Sequence, residues 1–182
     1  MHTYNFSSFT VLVLVKSEFA SQLLADTCRS LRPKTVVSKD NYVAAWDAFT
    51  TNPVDIVIGD ISFEDGHRFL KAVRSVESSP NALVPFIATS NASSLECVMR
   101  ARDSGANEFV GFPLSANTLI ERLIRVVEVP RVFVRTPKYL GPDRRRKERA
   151  FQGENRRQSA PAPANEAPAQ QGAATRERGR TA

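Results

Sequence analysis

Val54-Asp55-Ile56-Val57-Ile58-Gly59-Asp60 is the stretch on which the fold turns. It is short, rich in β-branched residues and preceded by Pro53, so it reads as a strand that ends on a carboxylate. Upstream, residues 10–15 are a second β-branched run, and Thr35-Val36-Val37 is a third. Downstream, residues 84–89 and 108–111 complete a set of five strands. Helical patterns separate them. Ser17 is expected to cap a helix over residues 18–31 with Phe19, Leu23, Leu24, Cys28 and Leu31 on one face. Asp40 is expected to cap the next, facing Val43, Trp46 and Phe49 inward. Residues 66–76 carry Phe69, Leu70 and Val73. Ser93 and Glu96 form a capping-box pattern before a helix ending at Ser104-Gly105, and Ser115 opens a last helix over Leu119, Leu123 and Val127. Strict strand–helix alternation implies right-handed crossovers and a doubly wound (βα)5 parallel sheet, covered on both faces, with ligand chemistry at the strands' C-terminal ends.

The charge divides the chain. Its net +6 over 182 residues is −2 for residues 1–130 and +8 for residues 131–182. An acidic body is joined to a basic tail containing Arg144, Arg145, Arg146, Lys147 and Arg149. Beyond residue 150 little but alanine is apolar and prolines recur, a composition that cannot offset its ordering entropy, so a disordered tail is expected there. No apolar run reaches the ~18 residues of a membrane span. The start, Met1-His2-Thr3-Tyr4-Asn5, has no signal-peptide pattern. Two cysteines and two histidines exclude a disulfide scaffold and a zinc cage. A cytoplasmic protein without a metal site is expected. Cys28, Cys97 and the surface residue His67 are expected to have no chemical role.

The ordered strand ends resemble the receiver domain of bacterial two-component response regulators, over about residues 9–128. The strand ending at Asp60 matches the one carrying the phosphoacceptor. Gly66 with Phe69-Leu70 matches the glycine-initiated third helix. Val84-Pro85-Phe86-Ile87 followed by Ser90 matches the strand ending in a switch hydroxyl, with Thr89 the alternative. Ala101-Arg102-Asp103-Ser104-Gly105-Ala106-Asn107-Glu108-Phe109 and Pro113 match the approach to the fifth strand and its exit. The tail is similar to the extension of a group of stand-alone receivers, in Phe133-Val134-Arg135-Thr136 and Gly141-Pro142-Asp143-Arg144-Arg145-Arg146. The expected division is a lead at 1–8, a receiver-like domain at 9–128, a basic extension at 129–149 and a tail at 150–182.

The resemblance implies Mg²⁺ held by an acidic pair after the first strand and by the phosphoacceptor, with a lysine before the fifth-strand proline. Here the acidic-pair positions are Val15 and Lys16, or Lys16 and Ser17 with a one-residue shift, neither with a carboxylate; the lysine position is Phe112, and Phe109 holds the switching-aromatic position. The loop from Asp60 to Gly66 is shorter than the family's. Lys16 is expected to stand near Asp60 as a substitute cation or as a solvated strand-end charge. This inventory implies a non-enzymatic pseudo-receiver that binds a signalling protein, a histidine kinase or another regulator. Two further readings stay open: a residual phospho-switch at Asp60, and nucleic-acid association through residues 144–149. The contact face is expected around Met99, Arg102, Phe109 and Leu119. The oligomeric state is unspecified.

Overall fold

Strands made of Val, Ile and Leu, with no polar face, require cover on both sides, and the computed structural model supplies it. It describes residues 5–92, 94–137 and 139–144. The order is β1 (Thr10–Leu14), α1 (Glu18–Ser30), β2 (Thr35–Lys39), α2 (Tyr42–Thr51), β3 (Ile56–Asp60), α3 (Glu64–Val73), β4 (Phe86–Ser90), α4 (Leu95–Asp103), β5 (Glu108–Gly111), α5 (Ala116–Glu128), β6 (Phe133–Thr136) and β7 (Tyr139–Pro142). The first five strands form one sheet in the order β2-β1-β3-β4-β5, and every neighbouring pair is parallel. This is the doubly wound (βα)5 arrangement that the alternation dictates.

The two-residue period of the strands sorts the core into two layers. Leu12, Leu14, Val57, Phe86 and Ala88 face α2, α3 and α4, against Ala45, Phe49, Phe69 and Leu70. Val11, Val13, Ile56, Ile58 and Ile87 face α1 and α5, against Leu24, Cys28, Leu119 and Leu123, and Phe6 joins this layer from ahead of β1. β1, β3 and β4 are buried throughout, while β2 at the sheet edge is partly exposed.

In two helices the first expected core residue stands in solvent while the rest of the expected face packs inward. In α2 the cap is Asn41, whose Oδ1 accepts from Ala44 N–H at 2.9 Å, while the Asp40 carboxylate accepts from the Asn41 amide at 2.8 Å. The expected Phe49 is buried and Trp46 packs against the core, with Ala45 and Ala48 buried beside them, while Val43 is 75% exposed. In α1 the Ser17 cap holds and the expected Leu24 and Cys28 are buried, joined by Ala25 and Thr27, while Phe19 is 81% exposed. Burial pushes the Cys28 thiol up to about 12, which keeps it protonated and inert. Cys97 is half-exposed. For α4 the cap is Ser94, whose Oγ accepts from Cys97 N–H at 3.3 Å. α3 begins at Glu64, two residues before Gly66, and no side chain caps it. Gly66 is obligatory for another reason: a Cβ there would sit 1.7 Å from the Asp60 carbonyl oxygen.

After α5 the chain folds back as an antiparallel hairpin, with Phe133 opposite Pro142, Val134 opposite Gly141, Arg135 opposite Leu140 and Thr136 opposite Tyr139. Residues 145–182, including Arg145, Arg146, Lys147, Arg149 and the expected disordered tail, lie outside the described residues.

Candidate functional site

Four strands deliver their C-terminal residues to one edge of the sheet. Asp60 closes β3 and is 6% exposed. Its Oδ1 accepts from the Ser62 N–H at 2.9 Å and from the Ser62 hydroxyl, so the carboxylate closes a turn into the loop before α3. Ser62 escaped the sequence reading, although Asp60-Ile61-Ser62 is a legible turn pattern. Thr89 lies opposite Asp60 in the register, and its carbonyl accepts from Ile61 N–H at 2.9 Å. Its hydroxyl is fully buried without a hydrogen-bond partner. Ser90, also buried, accepts from Ala92 N–H at 3.1 Å. Each of the two candidate hydroxyls is thus beside the aspartate's strand, and no hydrogen bond joins either to its carboxylate.

The cationic and acidic positions are filled differently. Val15 is buried in the layer facing α1 and α5. Lys16 is exposed and lines a groove of about 780 Å³ with Glu18, Gln22, Lys39 and Asp40, over the ends of β1 and β2. No ion pair joins Lys16 to Asp60 among the described residues. Phe112 packs partly buried on the α1/α5 layer, and its peptide bond to Pro113 is cis. Phe109 packs on the opposite layer, beside α4. Around the expected contact face, Met99 and Arg102 are exposed, whereas Leu119 is fully buried in the core. On the neighbouring edge, the buried Glu108 pairs with Arg122 at 3.2 Å and with Arg125 at 4.0 Å.

Solved structures match this arrangement of five parallel strands and their helices. The chemotaxis protein CheY4 of Vibrio cholerae is 22% identical, with a TM-score of 0.59 over 65% of this chain and 98% of that one. A putative response regulator from Chloroflexus aurantiacus is 19% identical, with a TM-score of 0.60 over 66% of this chain and 98% of that one. A response regulator from Thermotoga maritima is 17% identical, with a TM-score of 0.58 over 66% and 98% respectively. The fold is that of a response-regulator receiver domain. No family model and no curated protein matches the chain.

The receiver fold accounts for the sheet and its helices, and the hairpin is joined to its other end. Arg74, immediately after α3, is buried, and no carboxylate pairs with it among the described residues. Carbonyl groups take its charge instead: Nε donates to Gly105 O at 2.8 Å, Nη1 to Ala82 O and Val84 O at 2.8 Å each, and Nη2 to Asn107 Oδ1 at 2.9 Å. Burial pushes the guanidinium down to about 9, so it stays charged at neutral pH. Phe133 of β6 lies over it, 5.1 Å from ring centroid to Cζ.

Asn107 ties this cation to the sheet, since its Oδ1 also accepts from Phe86 N–H at 2.9 Å and its carbonyl accepts from Arg131 at 3.1 Å. Glycine allows the hairpin this close. Gly105 has φ +93°, and a Cβ there would lie 2.7 Å from Leu140 O. A Cβ on Gly141 would lie 2.7 Å from the Gly105 Cα. The Gly-Pro-Asp-Arg segment thus closes a clamp. Gly141 and Pro142 are buried, Asp143 N–H donates to Val132 O at 2.7 Å, and Arg144 stacks on Tyr139 and reaches Asp103 at 3.4 Å.

Proposed function

We propose that this chain is a signalling adaptor: a receiver-fold protein that acts by binding a protein partner, without Mg²⁺-dependent phosphoryl transfer at Asp60. The observation that carries this reading is the donor set at the strand ends. Mg²⁺ demands an octahedron of oxygen ligands, mostly carboxylate and water. Here a buried valine and an outward-lying lysine follow β1, and Phe112 packs into the core where the resemblance calls for a lysine. Among the described residues no group of three His, Cys, Asp or Glu side chains could hold a metal. The residues present do not fit the ion, and one oxygen of the remaining carboxylate is engaged by Ser62. Phosphoryl transfer depends on cations that neutralise the equatorial oxygens, and among the described residues no cation is paired with Asp60.

The partner is a signalling protein, a histidine kinase or another regulator, and the exposed Met99 and Arg102 of α4 belong to the surface it would contact. The test is incubation with acetyl phosphate and Mg²⁺, read by intact mass. The reading expects no adduct. An adduct that forms at an intact receiver's rate and disappears in Asp60→Asn would overturn it and establish the phospho-switch.

A second reading, association with nucleic acid, rests on the +8 charge of residues 131–182 and on the fixed position of Arg144 against Asp103 and Tyr139. It expects retention on duplex DNA that falls steeply with salt and is lost when residues 145–182 are removed. Retention that survives the deletion would exclude it.

A further inference from the structure

The loop after Asp60, α3 and α4 enclose a groove of about 410 Å³ to which no role has been given, lined by Ser62, Glu64, His67, Arg68, Lys71 and Arg100 among others. Its polar lining is dominated by donors. Lys71 forms no ion pair among the described residues, and Arg100 meets only Glu96, at 3.6 Å between two exposed side chains, a contact worth little in water. Arg68 stacks over Tyr42 at 4.4 Å. The Ser62 hydroxyl is committed to Asp60.

His67 is the informative member. Its Nδ1 is shut from water and has no partner. An N–H there would be a buried donor left unsatisfied. Nε2, the nitrogen that is not shut in, is the one that can meet a ligand, as a donor when it carries the ring proton. His67 thus offers a donor beside two cations whose charges act on it.

We propose that this groove binds the tetrahedral dianion of a phosphate monoester carried by a small soluble molecule. Three exposed cations, Arg68, Lys71 and Arg100, stand against one carboxylate, Glu64, which leaves an excess of two positive charges among the lining residues. A dianion balances that excess, and a monoanion does not. Guanidinium groups match phosphate oxygens in pairs, and a lysine adds a point charge. The volume, within the 300–1,000 Å³ range of small-ligand sites, exceeds what a bare phosphate fills. The groove also shares Ile61 and Ser62 with the turn closed by Asp60, so a ligand held there would lie against that turn.

The test is amide NMR of the full chain at fixed ionic strength and pH 7.5, titrated with glycerol 3-phosphate, inorganic phosphate and acetate. Saturable shifts at residues 61–71 and 100 are expected with both phosphates, tighter for the ester, and none with acetate. Lys71→Ala with Arg100→Ala should weaken binding at least tenfold, and Glu64→Gln should tighten it about threefold. A second readout is the His67 ring, which shares the groove with Glu64, Arg68 and Lys71 of its own helix and with Arg100 of α4. Saturating sulfate, doubly charged across the range, should move its titration upward by offsetting Lys71 and Arg100. Equal shifts with acetate, unchanged affinity in the double variant, a tighter fit for inorganic phosphate than for the ester, or shifts confined to residues 144–182 would each overturn the proposal.

Discussion

The two ends of the sheet handle charge in opposite ways. At the C-terminal ends of the strands, a carboxylate stands with no ion pair among the described residues: Asp60 is buried, tied to the next turn, and Lys16 lies elsewhere. At the N-terminal ends, a cation stands without a carboxylate: Arg74 is buried and held by three carbonyls and an amide oxygen. Removing a partner from a buried, fully bonded charge is costly, whereas altering a carboxylate that uses one local turn is cheap. Architectural weight therefore sits at the hairpin end.

The largest effect is expected at Arg74. Arg74→Ala leaves the carbonyls of Ala82, Val84 and Gly105 and the side chain of Asn107 without their donor, and should cost about 3–5 kcal/mol in urea unfolding. A loss under 1 kcal/mol would mean that water replaces the guanidinium and that the clamp is ornamental. Gly66→Ala should cost about 3 kcal/mol, because the added Cβ meets backbone, which cannot rotate away. That variant tests whether the Asp60 end has any rigid element of its own.

Next comes the hairpin itself. Gly141→Ala should cost about 1–2 kcal/mol and raise amide exchange at residues 133–142 more than in the sheet, since the new methyl wedges against Gly105. Uniform loosening of the whole domain would show instead that the hairpin and sheet unfold as one unit. Asp60→Asn should change stability by no more than about 0.5 kcal/mol, as the amide keeps an oxygen to accept from Ser62.

The smallest effect is with pH. Burial first, then Lys71 and Arg100, hold the His67 imidazole below its usual 6.5. The unfolded chain then binds the proton more readily than the folded one, so this group's contribution is complete above 6.5 and declines as pH falls below it. His67→Gln should flatten that part of the stability–pH curve. An unchanged slope would assign it to other groups.

Much of the body was legible because parallel βα units write themselves in the chain. Residues 56–60 or 108–111 can only be short buried strands, and turn residues such as Ser104-Gly105 mark where helices stop. What was illegible depended on cover by neighbouring elements and on distant partners. In α2 the expected Phe49 and Trp46 do pack on the core, but Val43, in the first turn, stands 75% exposed because no neighbouring element covers it. At the strand ends the sequence named Asp60, Ser90, Thr89, Val15, Lys16 and Phe112, but it could not say that Ser62 would engage the carboxylate or that Lys16 would lie over β2. β7 was missed because Tyr139-Leu140-Gly141-Pro142 carries a glycine and a proline, which argue against a strand until the partner is known.

The sequence alone determined the five alternating units, the two core layers and the charge divide, because each is a local pattern of period two, of period 3.6 or of composition. The tertiary structure alone decided which charges meet. Arg74 and Asn107 are 33 positions apart, and Gly105 and Gly141 are 36 apart. Nothing local to either member of those pairs signals the other. Their union follows from the sheet order, which sets the start of β5 beside the end of α3 and lets two glycines bring the hairpin into contact.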